Sequence, residues 1–389
     1  MQKNLITLAI LLASVLLVGC TPNGSTAGKG TFEPIQTNVP ARPAGQKDVL
    51  GLTVPEIDTV RVGFIGLGMR GPGAVRRFTH IPGTKIVALC DIFEDKVEGA
   101  QKILDNAGLP RAAGYSGSED SWKELCERDD IDLVYIATDW KSHAEMMIYA
   151  MEQGKHVACE VPAAMTLDEI WAIIDTAERT QKHAFQLENC VYDFFELTTL
   201  NMAQQGLFGE ILHAEGAYIH DLSDFWEYYQ DDWRMQYNKE FRGDVYATHG
   251  IGPAAQALDI HRGDKMNILV SMDTKAVNIP EHLINKRGVD RDSAYMFANG
   301  QHTMTMISTE NGKTIHIQHD VASPRPYSRM YQLSGTKGFA NKYPLEGYAL
   351  DASSFEGSEI PNLENLNAHN FVSKETKDVL MDTYKHRIH

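Results

Sequence analysis

Three glycines give this sequence its first chemical signal. Gly66, Gly68 and Gly71 punctuate the stretch Val60-Arg-Val-Gly-Phe-Ile-Gly-Leu-Gly-Met-Arg-Gly71. The G-x-G-x-x-G spacing directly follows a β-branched apolar run, which is the order a dinucleotide site requires. Gly66 permits a tight turn, Gly68 lets backbone approach a pyrophosphate, and Gly71 lets a helix pack on the strand. The phosphates then meet a helix N-terminus, where free N–H groups and the helix dipole favour anions. A second apolar run, Lys85-Ile-Val-Ala-Leu-Cys90, ends in Asp91, twenty residues beyond Gly71. A carboxylate there accepts ribose hydroxyls and repels a 2′-phosphate, so NAD is expected rather than NADP.

Other chemistry-bearing residues are weaker signals. Glu160-Val161-Pro162 follows a short apolar run, close to where a nicotinamide would lie. His249 is one of 15 histidines, and histidine handles protons near neutral pH. Trp226, Tyr228 and Tyr229 invite a sugar-stacking role, although such a cluster more often belongs to a core. His143 could equally cap a helix beginning near Ser142, and Arg325 and Arg329 could serve fold salt bridges as well as binding. No C-x-x-C or His/Cys cluster has metal-ligand spacing, so no metal is expected.

The elements needed to position these groups alternate through the first half. Helix-like stretches at 93–107, 122–127, 142–153 and 167–180 are interleaved with apolar runs at 132–137 and 156–159. That alternation predicts a doubly wound parallel sheet. Beyond about Glu188 a helix at 194–204 precedes strand candidates at 210–219, 268–274, 294–297, 303–309, 314–320 and 330–334. Glu310-Asn-Gly-Lys313 predicts a hairpin turn. The fold class is therefore α/β, an N-terminal Rossmann sheet joined to an α+β domain with a mostly antiparallel open sheet.

The chain has 389 residues, enough for two domains, and a net charge of −16 that disfavours nucleic acid. Lys3, the apolar stretch Leu5 to Val18 and Leu17-Val-Gly-Cys20 together resemble a bacterial lipoprotein signal. Cys20 would then carry a lipid anchor contacting a bacterial membrane; an ordinary secretory leader is the other reading. Residues 21–55 are rich in Gly, Pro, Ser and Thr and read as a flexible tether. The expected organisation is thus signal 1–20, tether 21–55, NAD-binding domain 56–188 and substrate domain 189–389. Cys90 and Cys159 end apolar runs, so buried thiols are expected in preference to disulfides.

Several segments narrow the reading. The layout resembles the Gfo/Idh/MocA oxidoreductase superfamily, whose members usually carry Glu-Lys-Pro where this chain has Glu160-Val161-Pro162. Glu160-Val-Pro-Ala-Ala-Met165, Leu187-Glu-Asn-Cys-Val-Tyr-Asp-Phe-Phe-Glu-Leu-Thr-Thr-Leu-Asn-Met202, Gly216-Ala-Tyr-Ile-His220 and His319-Asp-Val-Ala-Ser-Pro-Arg-Pro-Tyr-Ser-Arg329 resemble glycoside hydrolase family 109. That resemblance implies an NAD-dependent glycosidase, with α-N-acetylgalactosaminidase as the reference activity. It implies cofactor contacts from Met69, Arg70, Asp91, Trp140 to His143, Glu160, Val161 and Asn189. It implies substrate contacts from Tyr218, Arg234, Tyr246 and Tyr327, with His249 as acid/base; Tyr246 and Tyr327 could donate hydrogen bonds to a developing enolate or share proton transfer. The family usually reads Tyr-Pro-Thr-His where this chain has Ala247, and usually continues beyond Tyr384-Lys-His-Arg-Ile-His389. The substrate domain is therefore expected to be incomplete at its C-terminus. A sugar oxidoreductase, or a non-catalytic lipoprotein that binds NAD or glycan, stays open as an alternative, as does homo-oligomerisation.

Overall fold

The computed structural model describes residues 35, 37, 39–226, 233–355 and 366–389. The proposed leader with Cys20, and Tyr228 and Tyr229, lie outside the described residues. Met1–Pro43 and Ala44–His389 form separate units, and both sheets belong to the second.

Six parallel strands form the first sheet: β1 (Val60–Ile65), β2 (Thr84–Cys90), β3 (Ala113–Tyr115), β4 (Leu133–Ile136), β5 (His156–Cys159) and β6 (Ala184–Gln186). Their order is β3-β2-β1-β4-β5-β6. Helices α1 (Gly71–Phe78), α2 (Glu94–Asn106), α3 (Ser121–Cys126), α4 (Trp140–Glu152) and α5 (Leu167–Thr180) connect them. The strands read as continuous apolar runs because both faces are covered. One face packs Phe64, Leu67, Val75, Leu89 and Leu104, the other Ile65, Leu125, Ile136, Met147 and Cys159. Local signals set helix starts. Thr166 and Glu169 form a reciprocal capping box on α5, and Asp139 accepts from the Lys141 N–H at 3.2 Å to start α4. The chain order reverses between β1 and β4, which opens the crevice where ligands of such sheets bind.

The second sheet is mixed and mostly antiparallel. It comprises β7 (Ile211–Ile219), β8 (Met266–Asp273), β9 (Thr303–Thr309), β10 (Thr314–Asp320), β11 (Tyr331–Gly335), β12 (Gly338–Asn341) and β13 (Gly347–Leu350). The order is β13-β12-β11-β7-β10-β9-β8, with β7 and β10 parallel. Its other helices are α6 (Phe194–Gln204), α7 (Trp233–Glu240), α8 (Thr248–Ala257), α9 (Asn278–Arg287), α10 (Arg291–Ala294) and α11 (Lys374–Tyr384). One face of this sheet carries the larger core, in which Phe195 and Met202 of α6, Ala254 of α8 and Leu380 of α11 pack on Ile315, Tyr331 and Tyr348.

Two expectations change. The strand at 294–297 is instead the end of α10 and a turn, because the Asp290 carboxylate accepts from the Ser293 N–H at 3.0 Å and caps a helical turn. The tether reading also extends too far. Val49 packs against the first core, the Gln46 amide donates to Glu178 at 2.7 Å, and Gln181 donates to the Lys47 carbonyl at 3.3 Å. Among the described residues, Cys90, Cys126, Cys159 and Cys190 are buried free thiols. Among the described residues no helix is long and apolar enough to cross a membrane.

Candidate functional site

The glycine turn between β1 and α1 is closely confined. Gly66 has φ +88°, and a Cβ there would lie 2.6 Å from the Ala137 carbonyl at the end of β4. A Cβ on Gly71 would lie 2.0 Å from the Gly66 carbonyl oxygen, whereas one on Gly68 would meet nothing within 4 Å. The turn thus presses against the sheet at two glycines and leaves room at the third, as a phosphate cradle requires. Asp91 holds the rim: Oδ2 accepts from the Leu67 N–H at 2.7 Å and Oδ1 from the Phe93 N–H at 3.0 Å. Met69 and Arg70 are exposed on the turn. The Arg70 guanidinium stands 3.9 Å from Glu160, which accepts from the Tyr135 hydroxyl at 2.7 Å. These residues fit NAD: an open backbone cradle, an acid for the ribose, and no cation at Val161 beyond β5.

A second group of side chains meets this edge from the other sheet. Tyr246, in the turn before α8, stacks on Trp140 of α4 at 5.2 Å and directs its hydroxyl toward the Val161 carbonyl at 3.4 Å. Arg234 of α7 is buried, its guanidinium 5.1 Å from the Trp140 ring and 4.9 Å from the Tyr246 ring. It also donates to the Tyr218 hydroxyl at 3.1 Å. Burial pushes the Tyr246 phenol above its ordinary range, so it stays a hydrogen-bond donor. Tyr218 and Tyr246 lie 5.4 and 4.9 Å from the His249 ring, respectively. Tyr327 is a step removed and 47 % exposed; it accepts from Arg329 at 2.7 Å and packs edge-on to His220.

A close helix–strand approach makes this arrangement possible. A Cβ on Gly216 of β7 would fall 2.3 Å from the Gly250 carbonyl oxygen, and one on Gly250 of α8 would fall 2.8 Å from the Ala217 nitrogen. With no side chains between them, α8 lies directly on β7, and His249 comes beside Tyr218. The His249 ring is buried, with Nδ1 2.6 Å from Glu188 Oε1 and 3.6 Å from Cys190 Sγ. Burial lowers its pKa, and Glu188 partly offsets this. Donor atoms of Glu188, Cys190 and His249 fall within 4.8 Å of one another, the kind of grouping that can ligate a metal. Here, however, Nδ1 is engaged by a short hydrogen bond, and burial pushes the Cys190 thiol up to about 12. The trio is a hydrogen-bonded cluster.

The remaining expected residues are more scattered. His143 is buried inside α4, Nδ1 2.7 Å from the Pro162 carbonyl and Nε2 3.2 Å from that of Thr138; Asp139 is the cap. Asn189 is exposed beside the buried Glu188. Trp226 is buried against His282, in a core with Leu222 and Met235. Arg325 approaches Asp320 at 3.8 Å, whereas Arg329 lies over the Tyr218 ring at 4.4 Å. Sequence reasoning passed over Glu188, although it lies one residue before Asn189.

Residues 60–187 match the model for "Oxidoreductase family, NAD-binding Rossmann fold", and residues 192–386 match "Glycosyl hydrolase 109, C-terminal domain". A "Glycosyl hydrolase family 109 protein 1" from Phocaeicola vulgatus is 64 % identical over 391 residues, covering 100 % of this chain and 82 % of that protein. The chain belongs to glycosyl hydrolase family 109. A family 109 protein 1 from Bacteroides fragilis is 66 % identical over 389 residues, again covering 100 % of this chain and 82 % of that protein. Among solved structures, a levoglucosan dehydrogenase in complex with NADH and levoglucosan superposes with TM-score 0.58 at 22 % identity, covering 76 % of this chain and 77 % of that one. This family 109 chain is therefore an enzyme with an NAD-binding Rossmann domain, and NAD is its cofactor.

Proposed function

We propose that this family 109 protein hydrolyses α-N-acetylgalactosaminides or related glycosides with a tightly held NAD⁺ that ends each turnover as it began. The observation that carries the reading is the contact between Tyr246 and the Val161 carbonyl, at 3.4 Å. Where superfamily dehydrogenases usually have lysine, this chain has an apolar side chain, and Tyr246 and His249 supply the proton-handling groups instead.

When bound, NAD⁺ supplies reversible hydride transfer at the sugar C3, whose oxidised form acidifies the neighbouring C2 hydrogen. His249 removes the C2 proton at Nε2, because Nδ1 is turned to Glu188. Loss of that proton expels the C1 leaving group, water adds at C1, and a proton exchanged with solvent is delivered to C2. The Tyr246 hydroxyl donates to the developing enolate oxygen, and Arg234 holds Tyr218 and a substrate oxygen. NAD-dependent families are established exceptions to the two-carboxylate scheme of glycoside hydrolysis.

We further propose export, with Cys20 lipidated and anchored to a bacterial membrane. Lys3, the apolar stretch to Val18 and Leu17-Val-Gly-Cys20 support that reading. A cofactor restored within each turnover suits a compartment without a free NAD pool.

The test is incubation with p-nitrophenyl α-N-acetylgalactosaminide and NAD⁺, following nitrophenol and NADH together. Nitrophenol without accumulating NADH is expected, falling about 10²–10⁴-fold in His249→Asn. Stoichiometric NADH without nitrophenol would instead establish a sugar dehydrogenase.

A further inference from the structure

His249 comes from α8 on the second sheet, whereas its short hydrogen bond ends on Glu188, just beyond β6 of the first. Oε1 of Glu188 is fixed from its own side by the Cys190 N–H at 2.9 Å. Helix α8 also abuts the stem of this side chain: a Cβ on Gly252 would lie 3.0 Å from Glu188 Cγ. Both Glu188 and His249 are buried. Carboxylates are seldom buried unless paired, and this one is aimed at a single imidazole nitrogen.

We propose that Glu188 is the positioning residue for His249, taking the Nδ1–H and leaving Nε2 as the basic atom facing the reacting sugar. The proposal rests on the acid/base role proposed for His249. In the proton-transfer step the C2–H bond breaks, its electron pair moves into the enolate, and the proton binds Nε2. The imidazolium that forms is balanced by the Glu188 carboxylate 2.6 Å away, which need not itself accept a proton. Without the carboxylate the same proton would bring an unbalanced charge into a buried site.

The surroundings set the sign of the pH effect. His249 faces Glu188 and Cys190 from the turn after β6, Tyr218 from β7, and Tyr246 from its own turn. Arg329 and Arg234 bear on it electrostatically. Burial lowers its pKa, the two guanidinium groups lower it further, and Glu188 alone among the named charges raises it. Glu188 itself stays below the ordinary carboxylate value: burial raises it, but the His249 hydrogen bond and the other attractions outweigh that. At neutral pH the resting pair is therefore a carboxylate and a neutral imidazole. Replacing Glu188 with glutamine keeps an oxygen acceptor and removes the charge, so the His249 midpoint must fall.

The test uses the full-length protein labelled with ¹⁵N-histidine, with the His249 signals assigned by their loss in His249→Asn. Long-range proton–nitrogen correlation spectra are recorded from pH 4 to 8 for the wild type, Glu188→Gln and Glu188→Asp. We expect the Nδ1–H tautomer in the wild type above its midpoint. The midpoint should fall by about one pH unit or more in Glu188→Gln and recover partly in Glu188→Asp. In the glycoside assay, kcat should fall about 10²–10⁴-fold in Glu188→Gln, with KM little changed and the acidic limb of the pH profile moved down. An Nε2–H tautomer in the wild type would overturn the proposal. So would a His249 midpoint unmoved in folded, NAD-binding Glu188→Gln. A wild type that cleaves no glycoside yet titrates as described would sink the glycosidase reading and leave the pair intact.

Discussion

At the scale of single residues, Gly71 is closely confined: a Cβ there would start 2.0 Å from the Gly66 carbonyl oxygen, which backbone must move to relieve. Overpacking of this kind costs about 1–3 kcal/mol, so NAD affinity should weaken roughly 5- to 150-fold in Gly71→Ala. Isothermal titration with NAD⁺ checks it; wild-type affinity would mean that the cradle does not hold the pyrophosphate. Chemistry that depends on short spacing was readable at this scale, and chemistry that depends on folding was not. Gly66, Gly68, Gly71 and Asp91 announce themselves because one turn and one strand fix their relation. Glu188 does not, being one of 52 acidic residues, with its partner 61 positions away. Nor does sequence reveal that Arg234 would lie against both Trp140 and Tyr246, because the three are brought together only by the meeting of the two sheets.

At the scale of elements, long periodic segments were legible and short ones were not. The strands at 303–309 and 314–320 and the helices at 167–180 and 194–204 lie where the pattern puts them. Strands β3 and β6 have three residues each, too few to show a period, and α8 carries Pro253 and two glycines that hide its helical character. The 294–297 stretch reads as apolar strand, yet the Asp290 cap wins because one good N-cap outweighs weak β propensity. Helix α8 also supports a stability prediction. Ala247, its N-cap, has φ −69°, which proline adopts without strain. Ala247→Pro should therefore stabilise the fold by about 0.4–1 kcal/mol, by restricting the unfolded chain. Denaturant unfolding measures it, and a lower midpoint would mean that the turn before His249 rejects a proline ring.

At the scale of the molecule, the alternating first half was enough to specify a doubly wound parallel sheet, whereas the order that puts its crevice at the β1/β4 reversal was not legible. The second half specified strands but not their order, since pairing β7 in parallel with β10 depends on contacts far apart in sequence. What joins the halves is the site: Trp140, Val161 and Glu188 on one side, and Tyr218, Arg234, Tyr246 and His249 on the other. The central claim is that glycoside cleavage passes through loss of the C2 proton and its replacement from solvent. Turnover of p-nitrophenyl α-N-acetylgalactosaminide in D₂O, with mass and NMR analysis of the released sugar, tests it most directly. The account predicts one deuterium at C2 and no net NADH. A released sugar carrying only hydrogen at C2 would contradict it, and would point to direct displacement at C1.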